Sequence, residues 1–188
     1  MMVNEVEMAG KYINTGRVIL YPTDTIWGIG CDATDPVAVQ KIYEIKKRSD
    51  RKSMLVLMSS FSMLSEYLER VPLKAEEILR TMVKPTTVIY PGAKNLAENL
   101  LGENGSIGIR ITSDKFCQKL IQFTGKPIVS TSANVSGSPA PPSYNEIDIA
   151  IRENVDLVVD WRRDEVVSGS ASSIIRLDEN GNFTILRP

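Results

Sequence analysis

The residues able to handle charged substrates fall in short polar segments that interrupt apolar runs. Lys46, Lys47, Arg48, Arg51 and Lys52 put five cations within seven residues. Phosphate favours such a cluster, because ammonium groups act as point charges and guanidinium groups bind two oxygens at once. The same run also reads as a solvated face at a helix C-terminus, where the helix dipole favours cations. Ser106-Ile107-Gly108-Ile109-Arg110 ends an apolar run on an arginine, which suits a carboxylate or a plain exposed strand end. In Ser130-Thr131-Ser132-Ala133-Asn134-Val135-Ser136 the apolar residues give way to hydroxyls and an amide. They read as hydrogen-bond donors at the C-terminal end of a strand, where α/β proteins gather ligands, or as a polar turn. Tyr21-Pro22-Thr23-Asp24-Thr25 is a polar step inside an apolar run, either a strand break that lets a ligand meet the main chain or an ordinary edge turn. Ser170, Ser172, Ser173 and Arg187 are weaker signals.

What these residues could do is narrowed by an absence, for the sequence contains no histidine. That removes the Ser-His-Asp triad, the Cys-His pair and histidine-bound zinc. Catalysis falls to lysine, arginine, carboxylates, hydroxyls, backbone dipoles or a loosely held metal ion. Cys31 and Cys117 lack CxxC spacing and read as buried reduced thiols. Lys plus Arg number 22 against 23 Asp plus Glu, a net charge of -1. Such a balance argues against coating nucleic acid by bulk electrostatics and leaves room for a local basic patch. The first residues are polar and acidic, with no apolar signal-peptide core, and no window reaches the roughly 18 apolar residues of a membrane span. A cytoplasmic protein with no membrane partner is the expectation.

The elements that must position these segments follow from periodicity. At 188 residues, 43% hydrophobic and 24% charged, the chain is sized as a single domain, 1–188. Val3, Val6, Tyr12 and Ile13 predict a helix over 3–14, with Gly16 as its C-cap. Strands are expected over 18–21, 54–58, 86–90, 107–111, 128–131 and 157–161, with an extended stretch over 26–31. Asp35-Pro36 opens a helix with an apolar face of Val39, Ile42, Tyr43 and Ile45. Further helices are expected over 63–68 behind a Ser60 or Ser62 cap, over 72–82, from Asp114 to a Gly125 stop, and over 147–152. Residues 132–143 read as a loop, and Asn180-Gly181 as the turn of a closing hairpin. Strands alternating with helices predict an α/β fold with a mixed sheet. Gly28-Ile29-Gly30-Cys31-Asp32-Ala33 approaches the dinucleotide fingerprint, but that motif needs a helix opening on the glycines, and here the helix starts at Asp35.

In this order the segments resemble the YrdC-like family, the threonylcarbamoyl-AMP synthases, in a single-domain form. The family shows YPTxTxxGxGxxA, then KxR, a strand ending in arginine, and SxN within STSANxSG. Here these are residues 21–33, Lys46 with Arg48, Arg110, and Ser132 with Asn134, and the resemblance runs from Gly16 to Arg187. It implies a twisted mixed sheet flanked by helices, with a large basic concave cavity. It implies a nucleotidyltransferase that condenses L-threonine, bicarbonate and ATP into threonylcarbamoyl-AMP and pyrophosphate. The product would feed modification of tRNAs that read codons starting with A, which makes tRNA or tRNA-modification proteins the implied partners. By match to the motifs, Lys46, Arg48, Ser132 and Asn134 would be catalytic. Lys46 and Arg48 would hold the ATP phosphates, and Ser130, Ser132 and Asn134 would line the nucleotide and carbamate region. Thr23 would contact threonine and Arg110 its carboxylate, with Ser172 on the threonine side and Ser106 and Arg187 on the ATP side of the rim.

Such a reaction suits a chain without histidine. Threonine's amine takes up carbon dioxide with no enzymic nucleophile, and the carbamate oxygen then attacks the α-phosphate in line. The protein positions two anions and neutralises phosphate charge. Mg2+, held largely by the phosphates, would assist. The chain departs from the family pattern in places. Lys52-Ser53-Met54 replaces Lys-Pro-Leu, Val83-Lys84-Pro85-Thr86-Thr87 lacks the Gly-Pro of WPGPxT, and Arg176 stands where Asp is common. The C-terminal domain of longer members is not expected. These departures favour an alternative, a YrdC/YciO-type paralogue that binds nucleotide or structured RNA without synthesis.

Overall fold

In the computed structural model, which describes residues 2–47, 54–165, 171–178 and 180–188, the apolar runs become strands. They are β1 (Ile19–Tyr21), β2 (Gly28–Gly30), β3 (Leu55–Met58), β4 (Thr86–Tyr90), β5 (Ile107–Ile111), β6 (Ile128–Ser132), β7 (Leu157–Val158), β8 (Ser173–Leu177) and β9 (Phe183–Arg187). Among the described residues they form one mixed sheet in the order β7-β1-β2-β6-β3-β5-β4-β8-β9. The pairs β1–β7, β3–β5 and β4–β8 are parallel and the remaining neighbours antiparallel.

Alternation along the strands divides the core. Leu20, Ile29, Val56, Met58, Val88, Ile109 and Ile175 face one side, which α2 (Pro36–Ile45) covers with Val39 and Ile42. Asp35 caps α2 as the sequence predicts, accepting from Val37 N at 2.8 Å and Ala38 N at 3.1 Å. On the other side α1 (Met2–Asn14) and α5 (Lys115–Thr124) pack over Tyr21, Leu57 and Ile128 through Val6, Ala9, Ile13, Phe116 and Leu120. Leu55, at the margin of this layer, shares the face of Leu57, and Ser130 and Ser132 share that of Ile128. All three line a cavity, of which this part of the sheet is the floor.

The helices expected over 63–68, 72–82 and 147–152 are shorter than their patterns. A 3-10 turn at Phe61–Met63 leads into α3 (Leu64–Tyr67), and Ser60 Oγ meets Ser62 Oγ at 2.9 Å instead of capping the turn. Turn formation at Pro72, whose carbonyl accepts from Ala75 N at 3.0 Å, delays α4 (Ala75–Thr81). Asp148 caps α6 (Ile149–Arg152) through Ala150 N at 2.9 Å. The strand expected over 157–161 stops at Val158, because Arg163 turns back to donate to the Val158 and Val159 carbonyls at 2.8 and 3.1 Å. The hairpin around Asn180-Gly181 is present, with Gly181 at φ +82°.

Candidate functional site

The cavity measures about 600 Å³ and gathers residues from both ends of the sequence. Thr23, Arg110, Ser130, Ser132, Asn134, Ser172 and Arg187 line it together. Lys46 sits behind the lining. Ser106 precedes β5 at the opposite end of that strand from Arg110 and is not among the lining residues. Arg48, Arg51, Lys52, Ser53 and Ser170 lie outside the described residues.

The Thr23 loop is a side-chain turn. Thr23 Oγ1 accepts from Thr25 N at 3.1 Å and donates to the Ile26 carbonyl at 2.7 Å, so its hydroxyl shapes the strand break. Arg162, held at φ +58°, fixes the loop from below. Its Nη2 donates to the Thr23 carbonyl at 2.7 Å and its Nη1 to Asp114 Oδ2 at 2.5 Å. Glycine is needed where the loop re-enters the sheet. A Cβ on Gly30 would lie 2.3 Å from the Val129 carbonyl oxygen, and one on Gly28 would lie 3.2 Å from Ser130 Oγ.

Arg110 is 3% exposed, and its Nη2 lies 3.0 Å from Asp24 Oδ1. Thr112 Oγ1 holds the other carboxylate oxygen of Asp24 at 3.2 Å, while Arg110 Nε is buried with no hydrogen-bond partner. The β6 end is organised by a second buried cation. Lys46, at the C-terminus of α2 and 3% exposed, donates from Nζ to the Ser132 carbonyl and to the Asn134 carbonyl at 2.7 Å. Its own carbonyl accepts from Ser136 N at 2.9 Å. The sequence reading gives Lys46 a phosphate; in this structure its ammonium holds the loop that carries Ser132 and Asn134. Asn134 Nδ2 donates to the Val135 and Ser138 carbonyls at 3.0 and 2.6 Å, leaving Oδ1 as a buried acceptor without a partner. Across the cavity, Ser172 Oγ and Thr87 Oγ1 are 2.8 Å apart, and Arg187 donates from Nε and Nη2 to the Ser172 carbonyl at 3.0 and 2.6 Å.

Sequence reasoning missed Thr25 and Thr87 in the lining and Arg162 beneath it. Thr87 could have been found by alternation from Ile89; Arg162 has no local signal for this role, since Thr23 and Asp114, which it ties together beneath the cavity, are far away in the sequence. The thiols of Cys31 and Cys117 are buried, and burial above all pushes both pKa values up. They match the inert reading. Arg176 is exposed on β8 and does not line the cavity, whereas Thr87, from the altered WPGPxT stretch, does.

Among the described residues no cluster of three or more Cys, Asp or Glu could hold a metal ion, and the cavity lining carries no carboxylate. The described donors of the cavity therefore do not fit a protein-held Mg2+.

A sheet face bearing hydroxyls, an amide and buried arginine, with no acid–base pair among the described lining residues, defines a class of site suited to orienting anions. The chain belongs to the Sua5/YciO/YrdC family, whose model, described as telomere recombination, matches residues 11–188. It is similar to the threonylcarbamoyl-AMP synthase of Vibrio campbellii, 34% identical over 145 residues, covering 76% of this chain and 78% of that protein. Its fold matches P. abyssi Sua5 complexed with L-threonine at a TM-score of 0.87 and 27% identity, over 97% of this chain and 53% of that one. The chain thus spans about half the length of that Sua5 protein. E. coli YciO shares the fold at a TM-score of 0.84 and 24% identity, over 100% of this chain and 89% of that one. The family and the α/β fold expected from the motifs are borne out. No helix among the described residues is long and apolar enough to cross a membrane.

Proposed function

We propose that this protein is a threonylcarbamoyl-AMP synthase, forming threonylcarbamoyl-AMP and pyrophosphate from L-threonine, bicarbonate and ATP. The observation that carries the reading is the convergence of Arg110 with Ser132 and Asn134 in one cavity. Arg110 would take the threonine carboxylate, and Thr23 and Ser172 would flank the amino acid. The hydroxyls of Ser130 and Ser132 and the amide of Asn134 would meet the nucleotide and the carbamate. Arg187 at the rim and the cations at Lys46 and Arg48 would complete the ATP side, Lys46 through its field and its hold on the loop, while Ser106, outside the lining, would act at most from beyond the cavity's edge.

Bicarbonate would take up a proton and lose water to give carbon dioxide, to which threonine's amine would add, releasing a proton to solvent. The carbamate oxygen would then form a bond to the α-phosphorus as the bond to the bridging oxygen breaks and pyrophosphate leaves. The chain contributes positioning and charge neutralisation. Mg2+ would arrive with ATP as part of that substrate, in keeping with a lining that has no carboxylates. The work would be done in the cytoplasm, and the product passed to tRNA-modification proteins.

A second reading, a paralogue that binds nucleotide without synthesis, draws on the stretch 83–87, which lacks the Gly-Pro of the family pattern and ends in Thr87 at the cavity. Pyrophosphate release from ATP and bicarbonate with Mg2+, measured with and without L-threonine, separates the two. Threonine-dependent release establishes the synthase. ATP binding without release establishes the paralogue.

A further inference from the structure

Asp24 has no task in the proposed reaction, yet it is built into the site from behind. Its Oδ1 lies 3.0 Å from Arg110 Nη2, and its Oδ2 accepts from Thr112 Oγ1 at 3.2 Å. The neighbouring Thr23 carbonyl is held by Arg162 Nη2 at 2.7 Å, so the loop bearing Asp24 is pinned. Arg110 lines the cavity, whereas Asp24 opens on a separate groove beside Lys84 and Thr86. The guanidinium is thus shared, with a fixed carboxylate on one side and the cavity on the other. Arg110 Nε and Asp24 Oδ1 are both buried without a hydrogen-bond partner, so the pair is held by charge at 3.0 Å and not by an aligned hydrogen bond. Buried polar groups left in that state are costly, which makes the balance of charge around Arg110 sensitive to what enters the cavity beside it.

A cavity that holds an amino acid and a triphosphate together faces a sorting problem, because both anions are drawn to the same buried arginine. Coulomb repulsion from a fixed carboxylate acts twice as strongly on a dianion as on a monoanion at the same distance. Specificity between two ligands is often set by such a repulsive element. We propose that Asp24 is the specificity-determining residue of the Arg110 end of the cavity. It orients the guanidinium for a singly charged carboxylate and repels phosphate and pyrophosphate from the same seat. The inference rests on the reading of this cavity as the amino-acid and ATP site.

The test is equilibrium titration of the full chain with L-threonine and, separately, with inorganic pyrophosphate, using wild type, Asp24→Asn, Asp24→Glu and Arg110→Ala. Asp24→Asn keeps the shape and an acceptor for Thr112 while removing the charge. It should raise pyrophosphate affinity relative to threonine affinity by about tenfold, the scale of removing one nearby like charge. Pyrophosphate should then displace threonine from this variant and not from wild type, and Asp24→Glu should restore the wild-type ratio. An unchanged ratio in folded Asp24→Asn overturns the proposal. So does Arg110→Ala leaving both wild-type affinities unaltered. Should Asp24→Asn fail to fold, Thr112→Val, which removes the donor to Asp24 Oδ2, should move the ratio the same way to a smaller extent, and no movement counts against the inference. Because the readout is binding, a chain without threonine-dependent pyrophosphate release ends the synthase reading while the Asp24 comparison still decides this one.

Discussion

Lys46 and Arg110 are both 3% exposed, and they act in different ways. Lys46 ties the end of α2 to the carbonyls of Ser132 and Asn134, so truncation strands two acceptors and frees the loop. Lys46→Ala should cost about 2–3 kcal/mol of stability, read by urea unfolding, and speed deuterium exchange over residues 132–138. Arg110→Ala should raise the KM for threonine well beyond any change in the KM for ATP, since in the proposed reaction Arg110 would hold the carboxylate. In the basic run, Lys47 is exposed at φ +48°, so Lys47→Ala should leave turnover nearly unchanged, while Arg48→Ala should weaken ATP binding; parallel ATP titrations check the contrast. Arg110 and Asn134 were legible in the sequence because each is a polar group at or just past the C-terminal end of an apolar run. The loop-holding contact of Lys46 was not, since its partners are main-chain atoms 86 and 88 residues away.

Among the elements, the β2–β6 contact is the tightest constraint on the site. The two strands bring the Thr23 loop beside Ser130 and Ser132, and Gly30 lets the Val129 carbonyl approach. Gly30→Ala should destabilise the fold by about 3 kcal/mol, measured as a fall in thermal midpoint, because the clash is with backbone that has no rotamer to escape into. The strands were legible at nearly all positions, since apolar runs bounded by turn residues need only local information. The short helices were read too long. Their ends are set by a turn at Pro72 and a cap at Asp148, which compete with periodicity over the same residues. The sheet order was not legible at all, because β6 enters between β2 and β3 by contacts far apart in the chain. The pairing of α1 with α5 was likewise invisible locally.

For the whole molecule, buried ionisable groups set the response to alkali. Burial pushes the Cys31 and Cys117 thiols and the Tyr21 hydroxyl well above their ordinary values. The folded chain therefore keeps protons that the unfolded chain releases. Stability from this source is full below the ordinary thiol pKa of about 8.5 and falls as pH rises above it. Urea midpoints between neutral pH and pH about 10 should decline accordingly, and a thiol reagent should label neither cysteine until the chain unfolds.

The lining of the cavity has a different consequence. Threonine, serine, asparagine, glycine, arginine and aliphatic residues make up its described surface, with neither imidazole nor carboxylate. None of these side-chain types changes charge between about pH 6 and pH 9. The floor of the site is thus electrically constant across the physiological range and exchanges no protons with its contents. Any pH profile of turnover over that range should trace the ionisation of the substrates, above all the amine that must be free to take up carbon dioxide.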